Sequence, residues 1–316
     1  MNAVPRLSVG LPVYNGANYL AESFDALLGQ SFEDFELIVS DNASTDDTAE
    51  ICHHYEKQDA RVRYFRQERN VGLAPNHNFT VDQARGELFK WGSNDDLYGR
   101  DLLKLCVEAL DEHPQVVLAH SWTAMIDGAG NVTRADTYPL NTSSPSAPER
   151  FRSMLFDDGG DDDGGVIRTD VLRRVSRKDS YHHADRTIIT EIGLHGPFYQ
   201  VPDWLYFRRD HPERAERACP TMRSRCANMD PRRADPLRHP AVRLYGEYVW
   251  AYAAMIRNAP LSRADQRACY RHLADWMISR ARPGRSRNAQ PAAAPGAPVP
   301  QIPVNAIVAG REKRSS

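Results

Sequence analysis

The stretch that decides the fold is LFKWGSNDDLY, residues 88–98. Its apolar first part, residues 88–91, predicts a short buried strand that runs into a polar turn with two adjacent carboxylates, Asp95 and Asp96. Ligands of an open α/β sheet bind just outside the carboxyl ends of its strands, which is where this pair lies. Two such carboxylates suit a hard divalent cation that bridges to phosphate. The alternative is an ordinary N-cap, because Asp is favoured before a helix such as the one predicted over residues 101–112.

Strands and helices alternate on both sides of this stretch, up to about residue 121. Apolar runs predict further strands that begin near residues 7, 35, 62 and 116, and amphipathic patterns predict a helix after each of the first four strands. Strict alternation is typical of parallel β-α-β units. The sequence therefore predicts an α/β fold with a Rossmann-like, doubly wound, mostly parallel sheet.

The C-terminal part of the chain has a different pattern. Two helical patterns over residues 237–282 lie on either side of Asn258-Ala259-Pro260 and predict an α-helical hairpin extension. Residues 283–316 are rich in Pro, Ala, Gly and Arg, a composition that predicts disorder.

Composition narrows the function classes. The 316 residues carry a formal net charge of −2, so bulk electrostatics predict no nucleic-acid partner. The five cysteines form neither a CxxC pair nor a zinc-ligand spacing, which favours a reducing compartment. The N-terminus has no signal-peptide layout, and no apolar run reaches the roughly 20 residues needed to span a bilayer. We therefore expect a cytoplasmic protein.

The first predicted strand-to-helix turn, residues 12–17, contains one glycine and is neither GxGxxG nor a phosphate-binding P-loop. Nucleotide phosphates bound here would need a cation, which Asp95 and Asp96 could hold. Pro12 and Tyr14 could pack on a base, and Asp41, at the end of the second strand, could accept a hydrogen bond from a base N–H. The alternatives are a turn proline, a half-buried tyrosine and a turn aspartate.

Together these turns resemble family 2 glycosyltransferases. The resemblance is carried by LPVYN at residues 11–15, DNASTD at 41–46, NVG at 70–72 and SNDD at 93–96, in matching order, spacing and strand-end placement. It is strong over residues 6–125 and loose over 126–215.

The resemblance implies a GT-A fold and inverting transfer of a sugar. The donor would be a nucleotide-diphosphate sugar, of UDP or dTDP type, and the acceptor a hydroxyl of a glycan, a lipid-linked molecule or a small molecule, with Mg²⁺ or Mn²⁺ as cofactor. It divides the chain into a nucleotide-sugar-binding half (1–125), an acceptor-binding half of the same domain (126–215), a helical extension (216–282) and the tail (283–316).

The same resemblance assigns the donor site. Its DxD-type motif maps onto Asn94-Asp95-Asp96, with Asn94 as a departure from the usual first Asp, so Asp96 is the expected direct metal ligand and Asp95 the sugar or ribose contact. His211 matches a histidine that some GT-A enzymes use as a further metal or diphosphate contact; the alternative is a surface histidine. The predicted donor-binding set is Pro12, Tyr14, Asn15, Asp41, Asn70, Asn94 and Asp95.

For the general base, the family uses an Asp at the start of a helix in its second half. Asp185 is the match, although Ala184 stands where an acidic residue is usual. The alternatives are an N-cap of the helix predicted over residues 187–194 or a salt bridge to Arg186. Asp163 and Glu191 are the rival candidates for the base.

Other functions remain open on the sequence. A sugar nucleotidyltransferase also uses an α/β sheet with metal-binding Asp residues, but normally has a glycine-rich first loop. A non-catalytic nucleotide-sugar-binding protein would be consistent with Asn94 and Ala184. The arginine- and aromatic-rich C-terminal helices could rest on anionic lipid at the inner membrane face, pack on their own domain, or form a homodimer.

Overall fold

The computed structural model describes residues 4–136, 138, 140–157, 164–181 and 183–281. Asp163 and the tail at 283–316 lie outside these residues, so the predictions made for them are not tested here. None of the helices in the described ranges combines the length and the apolar character that crossing a bilayer requires.

Nine strands form one sheet. They are β1 (Leu7–Val13), β2 (Phe35–Asp41), β3 (Val62–Arg66), β4 (Leu88–Trp91), β5 (Leu97–Tyr98), β6 (Leu118–Ile126), β7 (Val132–Asp136), β8 (Val166–Arg168) and β9 (Phe198–Arg209). Their order is β3-β2-β1-β4-β8-β6-β9-β5, and β7 pairs with β6. Strands β1 to β4, β6 and β9 run in one direction and the other three run against them, which confirms the mostly parallel sheet.

Helices cover both faces of this sheet. The first are α1 (Ala17–Leu28), α2 (Thr48–Gln58), α3 (Leu73–Gln83), α4 (Leu102–Glu112), α5 (Ala147–Phe156), α6 (Thr169–Leu172) and α7 (Ala184–His195). Apolar side chains of α1, α2 and α4 are buried in one cluster with the sheet, and those of α5, α6 and α7 in a second cluster. The chain is therefore a doubly wound α/β structure, as predicted.

The C-terminal segment is helical. It contains α8 (Ala215–Ala218), α9 (Met222–Met229), a 3₁₀ turn (Pro231–Ala234), α10 (Ala241–Asn258) and α11 (Arg263–Ala281). Helices α10 and α11 form the predicted hairpin, and the chain turns at Ala259-Pro260. Tyr252 and Trp276 are buried in a cluster with Phe151 of α5, so the hairpin packs on its own domain.

Three element boundaries differ from the sequence prediction. Strand β6 extends to Ile126, instead of ending near residue 121, because β7 and β9 both pair with its second half. The sequence of residues 199–202 and 205–208 predicts two separate strand pieces, but β9 is continuous; its register skips Pro202, which has no N–H to donate. Helix α7 begins at Ala184 instead of residue 187, because Ala184 is buried in the same cluster as Tyr181.

Candidate active site

A cleft of about 420 Å³ lies at the carboxyl ends of β1, β2 and β4, closed on one side by residues that follow β9. Parallel neighbours in the sheet bring these strand ends to one edge, which is the usual ligand position in an open α/β sheet. The predicted site residues that line the cleft are Pro12, Tyr14, Asn15, Asn70, Asn94, Asp95, Asp96 and His211. Asp41 and Asp185 do not line it.

The turn after β1 is fixed to the turn after β2. Asn15 has a φ of +50°, a left-handed conformation that Asn tolerates better than most residues. Its N–H donates to Ser44 Oγ at 2.9 Å, and its Oδ1 accepts from the Thr45 N–H at 2.9 Å. The neighbouring Tyr14 is left 48% exposed on the cleft wall, where its ring can meet a flat ligand.

Asp41 is enclosed by protein. Its Oδ2 accepts from the Tyr64 hydroxyl at 2.7 Å and from Arg66 Nη1 at 2.8 Å, and its Oδ1 accepts from the Ser44 N–H at 2.8 Å. The side chain has no exposed surface. Base recognition by Asp41 stays a prediction, and it requires the carboxylate to become accessible past Tyr64 and Arg66.

Asn42, which the sequence analysis did not single out, lines the cleft beside Asn70. Its Nδ2 donates to Asn70 Oδ1 at 3.0 Å, and its Oδ1 accepts from the Val71 N–H at 2.8 Å. The signal was present, because Asn42 follows Asp41 in the DNASTD stretch. These bonds join the turn after β2 to the start of α3.

The two carboxylates of the turn after β4 have different surroundings. Asp95 accepts from the Ser93 hydroxyl, and its Oδ2 lies 2.9 Å from His211 Nε2. Asp96 is 5% exposed; its Oδ2 accepts from the Tyr206 hydroxyl at 2.6 Å and its Oδ1 from the Arg209 N–H at 2.9 Å. Burial, together with the charge of Asp95, raises the pKa of Asp96 to about 6. Asp95 is therefore the more accessible carboxylate, and Asp96 is tied to β9.

Two neighbouring arginines of β9 have different positions: Arg209 holds this turn in place, and Arg208 lines the cleft. The buried Arg209 donates through Nε to the Asp95 carbonyl at 2.8 Å and through Nη2 to Glu22 at 2.6 Å. Arg208 lines the cleft, and its charge lowers the pKa of both Asp96 and Asp185. Arg208 thus interacts electrostatically with Asp96, which lines the cleft, and with Asp185, which does not.

Asp185 is the second residue of α7 and pairs with a buried lysine. Lys178 Nζ lies 2.5 Å from Asp185 Oδ1, and the lysine side chain is 1% exposed. Burial opposes ionisation of Asp185, but the Lys178 ammonium holds its pKa below its usual value. The capping alternative does not hold, because His183 occupies the N-cap; the Arg186 alternative does not hold either, because Arg186 donates to the Met154 carbonyl.

Lys178 is fixed from α3 and extends towards the cleft. Its N–H donates to Asn78 Oδ1 at 3.0 Å, and its carbonyl accepts from Asn78 Nδ2 at 2.8 Å. Its ammonium lies 5.5 Å from the centre of the Trp91 ring, and Trp91 lines the cleft beside His77. Burial, with the charge of Lys178, lowers the pKa of His77 to about 3, so His77 is neutral.

The rival base Glu191 is placed differently. It is buried within α7, its carboxylate accepts from the N–H and hydroxyl of Ser176, and it does not line the cleft. Burial raises its pKa. Its contacts are those of a carboxylate that anchors the segment before α7.

The chain is similar to known glycosyltransferases, both to a sequence family and to single relatives. The family model described as Glycosyl transferase family 2 matches residues 8–175, more than half of the chain. The glycosyltransferase GlyG of Streptococcus pneumoniae is 30% identical over 125 residues, which cover 40% of this chain and 42% of GlyG. A GalNAc(5)-diNAcBac-PP-undecaprenol beta-1,3-glucosyltransferase of Campylobacter jejuni is 32% identical over 133 residues, 42% of each chain. The chain thus spans less than half the length of these two relatives.

Solved structures agree on the fold. The match to the crystal structure of S. aureus TarS 1-349 covers 88% of this chain and 73% of the TarS chain, with a TM-score of 0.62 and 20% sequence identity. A second match is to the mannosyltransferase PcManGT from Pyrobaculum calidifontis, whose structure is in complex with GDP-Man and Mn²⁺. This match covers 90% of this chain and 77% of the PcManGT chain, with a TM-score of 0.51 and 18% sequence identity. These likenesses confirm the GT-A architecture. The family-model match over residues 8–175 shows that the chain belongs to glycosyl transferase family 2.

Proposed function

We propose that this protein is an inverting glycosyltransferase. It would transfer a sugar from a nucleotide-diphosphate sugar, of UDP or dTDP type, to a hydroxyl of a glycan, a lipid-linked molecule or a small molecule. The observation that carries the proposal is the arrangement around the cleft. The Asp95–His211 pair lines it, and the Asp185–Lys178 pair adjoins it, since the Lys178 ammonium lies 5.5 Å from the ring centre of Trp91, another lining residue. Metal-binding and proton-accepting groups thus flank one space.

A divalent cation fits the Asp95–His211 pair. Asp95 Oδ2 and His211 Nε2 lie 2.9 Å apart at the cleft, and a carboxylate and an imidazole are both metal-ligand types, so these two residues would hold the cation. No group of three or more His, Cys, Asp or Glu suited to a metal is found among the described residues, but Mg²⁺-type sites take few protein ligands. A cation bound there would neutralise charge on the departing diphosphate.

The geometry supports an exchange of the roles predicted for the two carboxylates. The sequence analysis gave the metal to Asp96 and the sugar contact to Asp95. Both oxygens of Asp96 already accept protein hydrogen bonds, whereas Asp95 meets His211 at the cleft. We propose Asp95 and His211 as the metal ligands and Asp96 as the residue that fixes the turn. An imidazole ligand favours Mn²⁺ over Mg²⁺, which prefers oxygen.

The donor would lie across the joined turns after β1 and β2. Pro12, Tyr14 and Asn15 would form the nucleoside pocket, with Asn42 and Asn70 opposite. The guanidinium of Arg208 is suited to diphosphate oxygens. The PcManGT structure contains GDP-Man and a TarS structure contains UDP-GlcNAc, which supports a nucleotide-sugar donor here.

Asp185 would accept the proton of the acceptor hydroxyl. Direct displacement at the anomeric carbon needs a base on the acceptor side of the sugar, opposite the diphosphate. The carboxylate is ionised at neutral pH, since Lys178 holds its pKa low. Lys178 also fixes its position, because both the lysine backbone and its ammonium are held.

Donor turnover separates this function from its alternatives. The protein is incubated with Mn²⁺ and a panel of UDP- and dTDP-sugars, and the released products are identified; release of nucleoside diphosphate is expected. Binding without release would establish a non-catalytic sugar-nucleotide binder, and formation of sugar 1-phosphate with nucleoside triphosphate from pyrophosphate would establish a nucleotidyltransferase. Once an acceptor is found, NMR of the product should show the anomeric configuration inverted.

Replacing Lys178 with methionine should move the acid limb of the kcat/KM profile to higher pH. Burial then acts on Asp185 without the ammonium, so its pKa rises, while His77 and Arg208 remain as the other groups that influence it. The ionised carboxylate that acts as the base is lost as pH falls through this pKa. Because the pKa is higher in the variant, the acid limb moves to higher pH. Lys178→Arg keeps the charge and should shift the limb less. Melting temperatures at each pH exclude unfolding, and an unmoved limb in Lys178→Met would show that the pair does not control the base.

A further inference from the structure

Helix α10 of the C-terminal hairpin has an apolar row that faces solvent. Leu244, Tyr248 and Tyr252 of this helix are buried against the domain. The opposite side carries Val242, Gly246, Trp250 and Arg257, spaced so that they share one helix face. Val242 is 80% and Trp250 63% exposed, and a Cβ on Gly246 would meet nothing within 4 Å. Val242 and Trp250 therefore expose apolar surface on the solvent side of the helix, and the Arg257 guanidinium lies 5.8 Å from the centre of the Trp250 ring.

Helix α11 continues this surface. Its packed side carries Cys269, Leu273 and Trp276. Its solvent side carries three arginines spaced four residues apart, Arg263, Arg267 and Arg271. Tyr270 lies between the last two arginines, and Met277 and Ile278 follow them. Ile278 is 52% exposed. The helix therefore presents a cationic first half and an apolar second half to solvent.

The two rows are neighbours. The Tyr270 hydroxyl of α11 donates to the Ala253 carbonyl of α10 at 3.2 Å, and Gln266 Nε2 donates to the Arg257 carbonyl at 3.5 Å. Together the solvent-facing residues of α10 and α11 form one surface, which we call the hairpin face.

The charge of the hairpin face is mostly positive. It carries four arginines, Arg257, Arg263, Arg267 and Arg271, and one exposed carboxylate, Asp275. Glu247 is turned away and pairs with Arg233 and Arg243, and Asp265 accepts from Ser262. The whole chain has a net charge of −2, so the hairpin face is positively charged although the molecule as a whole is slightly negative.

We propose that the hairpin face docks on a membrane surface that contains anionic lipid. Apolar and aromatic side chains flanked by arginines are the composition of helices that lie in the interface plane, where the rings enter the headgroup boundary and the guanidinium groups meet phosphate. A second copy fits poorly, because it would bring another face with the same excess of four arginines over one carboxylate against this one. Charge complementarity thus selects the membrane.

The test is co-sedimentation of the full chain with vesicles of phosphatidylcholine alone or mixed with phosphatidylglycerol. Binding is expected only to the anionic vesicles and should weaken with salt. The triple variant Arg263→Gln, Arg267→Gln, Arg271→Gln should lose affinity on the order of 100-fold. The matched control removes three exposed arginines elsewhere, Arg217, Arg232 and Arg238, each paired with an Asp, and should bind nearly as the native chain does.

Tryptophan emission adds a second readout. Of the five tryptophans, Trp91 and Trp276 are buried, Trp122 and Trp204 are half-buried, and Trp250 is exposed. A blue shift on vesicle binding should therefore come largely from Trp250 and should be greatly reduced in Trp250→Phe, which still co-sediments. Three results would overturn the proposal: equal binding to neutral vesicles, full binding by the triple variant, or a dimer in light scattering that the triple variant dissociates. The last would assign the face to a second copy.

Discussion

Replacing Asp185 with asparagine should lower kcat by about 100- to 10,000-fold, the range that a positioned general base contributes. Asparagine has the shape of aspartate but cannot accept the acceptor proton. Donor affinity should remain near that of the native chain, because Asp185 does not line the cleft in which the donor would lie. Steady-state transfer and equilibrium binding of the nucleoside diphosphate give the two quantities.

The variant also takes the Asp185 carboxylate away from the buried Lys178 ammonium, and breaking such a buried pair destabilises a fold by about 3–5 kcal/mol. Stability and catalysis are separated by the double variant Asp185→Asn, Lys178→Met, which removes both charges. It should regain melting temperature without regaining turnover. Asp179→Asn, at an exposed neighbouring carboxylate, is the matched control and should retain activity.

Turnover within tenfold of the native rate in Asp185→Asn would contradict the base assignment. Glu191→Gln and Asp163→Asn would then be tested as the remaining carboxylates. Glu191 is the weaker of these candidates, because its oxygens are occupied by Ser176 and it is buried inside α7.

Local patterns predicted the architecture well, for a physical reason. The buried strands β2 and β4 lie in apolar runs, and the turns after them carry the polar residues that a strand end exposes. The motifs at 11–15, 70–72 and 93–96 therefore located most of the cleft. The ends of β6 and β9 were missed, because they depend on pairing between segments about 80 residues apart.

The contacts inside the site depend on distant parts of the chain. The motif at 41–46 placed Asp41 at a strand end, but not the Tyr64 and Arg66 side chains from β3 that enclose it. Lys178 is only seven residues from Asp185, yet it reaches the carboxylate because Asn78, 100 residues earlier, pins its backbone. A single sequence shows which residue types are present at such points and not which of them meet.

Asp95 and Asp96 are adjacent in the turn and of the same residue type, so the sequence alone does not show which of them binds the metal. Asp95→Asn should lower Mn²⁺-dependent donor affinity by at least about 100-fold, because even residues that only support a metal ligand account for 10- to 100-fold. His211→Ala should lower it in the same direction. Electron paramagnetic resonance of free Mn²⁺ gives metal affinity, and calorimetry with and without Mn²⁺ gives donor affinity.

Asp96→Asn is the matched control for this prediction, because it makes the same change at the next residue. Asparagine Oδ1 can still accept from the Arg209 N–H, and its amide can donate to the Tyr206 hydroxyl, so both bonds of the native side chain can be rebuilt. The turn should keep its shape, and Mn²⁺ affinity should fall much less than in Asp95→Asn. The reverse ranking would return the metal to Asp96 and leave Asp95 with the sugar. Equal losses would mean that both carboxylates ligate the cation, with the Tyr206 bond giving way when the metal binds.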